Sequence, residues 1–181
     1  MERCRMVFSG SGGQGVITAS IILAEAAVLY ENLNAVQSQS YGAAARGGAT
    51  RSDVIISDST IDYPKVIQPN VLVCLTQDAY NKFYEMIRPG GLLITDSRYV
   101  KIQKKVDALQ RELPMYENVM EKIGKPIVFN ICMLGAVIRM TGLLTPGSIM
   151  KVLETRILPD FLDMNRQALD LGLALGDQFK P

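Results

Sequence analysis

The sequence has no histidine among its 181 residues. The commonest general base and the commonest metal ligand are therefore missing. A Ser–His–Asp triad or a His-ligated metal site cannot be built from this chain. Cysteine is also scarce. Cys4, Cys74 and Cys132 stand far apart, with no CxxC or ferredoxin-type spacing. Cys74 and Cys132 fall inside apolar runs and read as small core residues. With no disulfide pattern, a reducing compartment is expected. No excess charge of one sign exists: 19 Lys and Arg stand against 18 Asp and Glu, a net charge of +1. No global field therefore points to nucleic acid or a membrane. Long hydrophobic runs are missing too, since apolar stretches break off within about a dozen residues, too short to cross a bilayer. Met1 to Met6 is polar and lacks the shape of a secretory signal. The expected location is the cytoplasm.

What is present suits one folded domain. Apolar residues make up 48% and charged residues 20%, close to the soluble average. The length favours a single domain over residues 1–181. Residues 4–9 read as a strand, and a glycine-rich turn leads into an apolar helix over 16–30, closed by Glu31-Asn32. Residues 33–37 and 50–57 read as strands. The continuous apolar run 71–76 suits a strand covered on both faces. A helix over 77–87, a Pro89-Gly90-Gly91 break and a strand over 92–95 follow. This order argues for an α/β sheet with helices on both faces. Residues 98–126 read ambiguously; Val100–Leu113 fits a strand and loop or a charged helix. Ile127–Phe129 reads as a last short strand. Helices are expected over 131–141, stopped by Gly142, from the Thr145-Pro146 cap to about Arg156, and over 160–175.

Gly10, Gly12 and Gly15 form a Gly-x-Gly-x-x-Gly spacing between strand and helix. Glycines let backbone approach a ligand, and the free N–H groups of a helix start favour an anion. A tight strand-to-helix turn fits the same pattern. Dinucleotide binding would want an acid at the end of the second strand, where this chain has Val36-Gln37-Ser38. A class I methyltransferase resembles the Arg88-to-Ile94 segment, but the acids it uses near the glycine loop and after the second strand are missing. No Gly-Lys-Ser or Gly-Lys-Thr follows the loop, which excludes a Walker A reading. A second small-residue loop, Tyr41 to Arg51, carries Arg46-Gly47-Gly48. Arg46 could hold a carboxylate or phosphate bidentately, or be a surface cation beside a turn.

Gly10-Ser11-Gly12-Gly13-Gln14-Gly15-Val16, followed by Gln39-Ser40-Tyr41-Gly42 and Arg46-Gly47-Gly48, resembles the gamma subunits of the 2-oxoacid:ferredoxin oxidoreductases. Ile56-Ser57-Asp58 with Pro64, Pro89-Gly90-Gly91, the Asn130-to-Ala136 run, and Asn165, Ala168 and Gly172 are similar to the same family in order along nearly the whole chain. The resemblance implies a three-layer α/β/α sandwich with a mostly parallel sheet and a Rossmann-like glycine loop. It implies a subunit inactive alone, packed on alpha and beta partners that hold thiamine diphosphate. It implies iron–sulfur clusters on partner subunits, a ferredoxin-like delta chain among the candidates, that pass electrons to ferredoxin. It implies contact with coenzyme A through Gly10, Ser11, Gly12, Gly13, Gln14, Gly15, Tyr41, Arg46, Gly47, Gly48 and Asn130. Gln14 would bond a partner or ligand, and Asn130 would cap its helix or reach the cleft. The stretch from Gln39 to Gly42 most resembles 2-oxoglutarate enzymes, with pyruvate and branched-chain enzymes close. A free-standing methyltransferase-like enzyme and a ligand-free assembly module are the alternatives.

Overall fold

The computed structural model describes residues 3–39 and 49–179. Among these, six strands form one mixed sheet in the order β2-β3-β1-β4-β5-β6. The strands are β1 (Cys4–Gly10), β2 (Asn34–Gln39), β3 (Thr50–Ser57), β4 (Val71–Cys74), β5 (Gly91–Asp96) and β6 (Ala108–Leu113). β1, β4, β5 and β6 pair in parallel, while β3 runs antiparallel to both β1 and β2. Five of the six therefore point the same way, and β3 is the exception.

The helices are α1 (Val16–Tyr30), α2 (Gln77–Phe83), α3 (Met115–Lys122), α4 (Phe129–Thr141), α5 (Pro146–Arg156) and α6 (Pro159–Gln178). Alternation of side chains across the strands divides the core in two. Met6, Phe8, Val54, Ile56, Val71, Val73, Leu92 and Ile94 meet α1, α3, α4, α5 and α6 on one face. Val7, Ile55, Leu72, Cys74 and Leu93 meet α2 and the loops on the other. Three layers are present, as expected, but one helical layer is thick and the other thin. The thin side is held by side chains of α2. Gln77 accepts from the Lys101 N–H at 2.8 Å, and the Tyr80 hydroxyl bonds both the N–H and the carbonyl of Lys104 at 3.2 Å.

Local signals set the helix ends. Asn32 takes a left-handed φ of 55°, and the Leu33 N–H returns six positions to the Ala27 carbonyl at 3.1 Å, which closes the end of α1 with a backbone bond. Gly142, at φ 63°, ends α4. Thr145 accepts from the Ser148 N–H and starts α5, with Pro146 in its first turn.

Three expectations are corrected. Residues 126–128 form a turn of 3-10 helix running into α4, not a strand; Pro126 cannot donate to a ladder, and its fixed φ suits a helical turn. Within Val100–Leu113 the strand is Ala108–Leu113 after a loop, so the charged-helix alternative falls. α3 was not foreseen. It is only eight residues long, and of these Met115 and Val119 are buried, too short a run for its period to stand out in the sequence.

Candidate functional site

β1 ends at Gly10, and the chain turns through Ser11, Gly12 and Gly13, all exposed, into α1. Gly13 and Gly15 have φ of 91° and 73°, a region open to glycine at no steric cost. Gly15 is the N-cap of α1. Among the described residues no side chain caps that helix and no acid occupies its first turn. Its first N–H groups and the positive end of its dipole are therefore free for an anion. A side chain built on Gly12 or Gly13 would meet nothing within 4 Å, so this part of the loop is open.

Gln14 is occupied inside the protein. Its Oε1 accepts from the Ser11 N–H at 2.8 Å and its Nε2 donates to the Leu75 carbonyl at 3.3 Å. It thus ties the loop after β1 to the turn after β4. These are neighbouring strands whose following helices lie on opposite faces, the crevice where an open α/β sheet commonly takes a nucleotide. A Cβ on Gly10 would sit 2.5 Å from Gln14 Oε1. Gly10 therefore serves the packing of Gln14.

The open space lies on the other side of the loop. A cavity of about 820 Å³ is lined by Ser11, Gly12, Gly13 and Gly15, the first turn of α1, the 125–131 segment, and the α5–α6 junction. Its mouth carries Ile127, Leu158 and Phe161, exposed to 77%, 68% and 51%. Lys125 and Arg156 also line it; Arg156 Nε donates to Glu25 Oε2 at 2.6 Å. Asn130 does not cap α4, whose N-cap is Val128. It lines the cavity and donates from Nδ2 to the Gly15 carbonyl at 3.3 Å.

Tyr41, Arg46, Gly47 and Gly48 lie outside the described residues. The strand ends that flank them do not. Gly10 pairs with Thr50, and Gln39 with Ser52, so the end of β2 and the start of β3 lie at the end of the sheet where the glycine loop begins. Arg51 is committed elsewhere. Its Nε donates to Asp53 Oδ1 at 2.6 Å, its Nη2 to the Val66 carbonyl at 2.5 Å, and the guanidinium lies 5.6 Å from the Phe83 ring centroid.

The cysteines are core residues. Cys74 and Cys132 are fully buried, and loss of solvent pushes both thiols up to about 12. Neutral buried thiols are poor nucleophiles and poor ligands.

The sequence model described as pyruvate ferredoxin/flavodoxin oxidoreductase matches residues 5–175. The chain belongs to this family. Within it, the expected kinship with gamma subunits of 2-oxoacid:ferredoxin oxidoreductases is borne out. The chain is 48% identical over 147 residues to the 2-oxoglutarate synthase subunit KorC of Methanocaldococcus jannaschii, covering 80% of this chain and 79% of that one. Its fold matches the keto/oxoacid ferredoxin oxidoreductase gamma subunit of Geobacter sulfurreducens with a TM-score of 0.88 at 36% identity, over 97% of this chain and 99% of that one. A 2-oxoglutarate:ferredoxin oxidoreductase from Magnetococcus marinus, with 2-oxoglutarate, coenzyme A and succinyl-CoA bound, shares the fold at a TM-score of 0.89. There the identity is 19%, over 99% of this chain and 32% of that one. Among the described residues, this oxidoreductase subunit has no cluster of three or more His, Cys, Asp or Glu that could hold a metal, and no helix long and apolar enough to cross a membrane.

The sequence missed Lys125, Ile127, Leu158 and Phe161 as cavity residues. Ile127 reads as part of a short strand, Leu158 lies outside the helix expected over 160–175, and Phe161 falls in the first turn of that helix. The available signal was that Leu158, Pro159 and Phe161 put apolar side chains at a helix start, where no core yet lies behind them.

Proposed function

We propose that this chain is the gamma subunit of a 2-oxoglutarate:ferredoxin oxidoreductase and that its glycine-loop cavity contributes to the coenzyme A site. Such an enzyme decarboxylates the oxoacid, transfers the acyl group to coenzyme A and passes the electrons to ferredoxin. The observation that carries the reading is the open, uncapped start of α1 beside Gly12 and Gly13, facing the 820 Å³ cavity. Free N–H groups at a helix N-terminus suit a diphosphate, and Lys125 adds a cation at the wall. Coenzyme A joins an anionic end to a long, weakly polar arm, and the cavity likewise joins a polar end to an apolar mouth. The choice of 2-oxoglutarate rests on the similarity to KorC.

In this reading thiamine diphosphate and the iron–sulfur clusters are held by alpha, beta and ferredoxin-like partner subunits, in the cytoplasm. The exposed Ile127, Leu158 and Phe161 favour a partner surface closing over the cavity mouth, since three large apolar side chains on one rim mark an interaction site. Arg46 would then meet a coenzyme A phosphate or a partner carboxylate.

Gly12→Asp in the assembled enzyme tests the reading. The new side chain has room, so the subunit folds, but its carboxylate stands where the phosphate would lie. The KM for coenzyme A is expected to rise at least about tenfold, or about 1.4 kcal/mol, with assembly intact. An unchanged KM sinks the coenzyme A site. Arg46→Ala, with both KM and assembly unchanged, removes Arg46 from either role.

A further inference from the structure

Asn130 stands 115 positions after Gly15, yet the two are locked together. Asn130 is 7% exposed, and its Nδ2 donates to the Gly15 carbonyl at 3.3 Å. That carbonyl also accepts the Ala19 N–H at 2.9 Å, an early hydrogen bond of α1. The carboxamide lies on the side of Gly15 where a side chain would otherwise be. A Cβ there would come within 2.5 Å of Asn130 Nδ2, 2.8 Å of Cγ and 3.0 Å of Cβ. Gly15 is already in the left-handed region at φ 73°. No described side chain caps α1, so beside the local Gln14–Ser11 bonds the Asn130 amide is a tertiary contact at the start of this helix. α4, which carries Asn130, is buried along almost its whole length and is a rigid anchor.

We infer that Asn130 is a positioning residue: it sets the conformation of residues 12–18 and thereby the direction of the N–H groups that face the cavity. The link to catalysis rests on the coenzyme A reading above; the link to loop conformation does not. An asparagine suits the task because its amide donates to the carbonyl without placing a negative charge beside an anion site. A carboxylate at this position would lack the donor and would repel both the carbonyl and the ligand.

The test uses the assembled complex with Asn130→Ala, Gly15→Ala and the double variant. Asn130→Asp, which keeps the volume and removes the donor, is measured beside them. Amide hydrogen exchange is followed at Gln14 and at residues 19–22, whose N–H groups close the loop and the first turns of α1, together with kcat and the KM for coenzyme A. Loss of one net hydrogen bond, near 1 kcal/mol, corresponds to about a fivefold loss of protection and a similar rise in KM, with kcat within about twofold. The same direction is expected for Asn130→Asp. Gly15→Ala should harm the wild type more than the Asn130→Ala background, because the two closest atoms, Nδ2 and Cγ, are removed and only Cβ at 3.0 Å remains; contacting residues are not additive. Additive effects, or unchanged exchange at Gln14 and 19–22 in both Asn130 variants, overturn the inference. Increased exchange with an unchanged KM upholds the positioning role and refutes the coenzyme A site instead.

Discussion

At the scale of single residues, one carboxylate joins two helices. Glu31, just past the end of α1, accepts from the Thr145 N–H at 2.9 Å, from its Oγ1 at 2.8 Å and from Ser148 Oγ at 2.5 Å. The bond from Ser148, then that from the Thr145 backbone, holds the carboxyl below its ordinary value of 4.5. A depressed folded-state value means stability that is present above the unfolded-state value and lost as pH falls through the folded one. Glu31→Gln should therefore lower stability at pH 7, by about 1 kcal/mol for hydrogen bonds to a charged group at a partly exposed site. The gap to the wild type should narrow as pH drops below 4.5. Denaturant titrations of both chains at pH 7 and in the acid range measure it, and a gap independent of pH removes the charge from the account. From the sequence, Glu31-Asn32 was legible as a helix stop and Thr145-Pro146 as a helix start. Their meeting was not, because nothing local says that residues 114 positions apart share a bond. Gln14 is a similar case. It looked like a ligand contact by its place in a glycine loop, and its amide instead bridges Ser11 and Leu75 within the chain.

At the scale of elements, α4 and α6 make the closest helix pair. A Cβ on Gly172 would collide with the Cys132 carbonyl, and one on Gly135 with the Leu169 carbonyl. Both obstacles are backbone and cannot rotate away. Gly172→Ala should push the helices apart and destabilise by about 1–3 kcal/mol, the usual cost of overpacking. Thermal unfolding measures the loss. An unchanged Tm would show that the two helices adjust freely. Elements with strong local signals were readable: the four-residue apolar strand β4, the Ala- and Leu-rich α1, and α4 with its glycine stop. Their ends moved by a few residues. Weak signals failed. α3 buries two residues and was lost, and Ile127 beside Val128 and Phe129 imitated a buried strand. An apolar triplet is the same in a strand and at a helix entrance, and only the packing of α4 decides between them.

At the scale of the whole molecule, one end of the sheet gathers the glycine loop, the cavity, and the strand ends that flank residues 40–48. Each part comes from a different stretch of sequence. The fold also separates two spaces around the loop. Gln14 bridges the crevice between β1 and β4, and among the described residues the cavity opens on the side of α4 and α6. A free-standing nucleotide enzyme would need the first. Calorimetry of the isolated chain is expected to detect no binding of NAD or S-adenosylmethionine; tight binding of either would overturn the subunit reading.

The sequence by itself determined the class of this protein. The absence of histidine and of clustered cysteine ruled out whole chemistries, and the ordered succession of strand, glycine turn and apolar helix pointed to a layered α/β fold. These are properties of composition and of short-range period, which depend on neighbours along the chain. Only the tertiary structure decided what each polar side chain does. Asn130 meets Gly15, Gln14 meets Leu75 and Arg51 meets Asp53 because folding brings them within hydrogen-bond distance, and such contacts leave no periodic trace in the sequence.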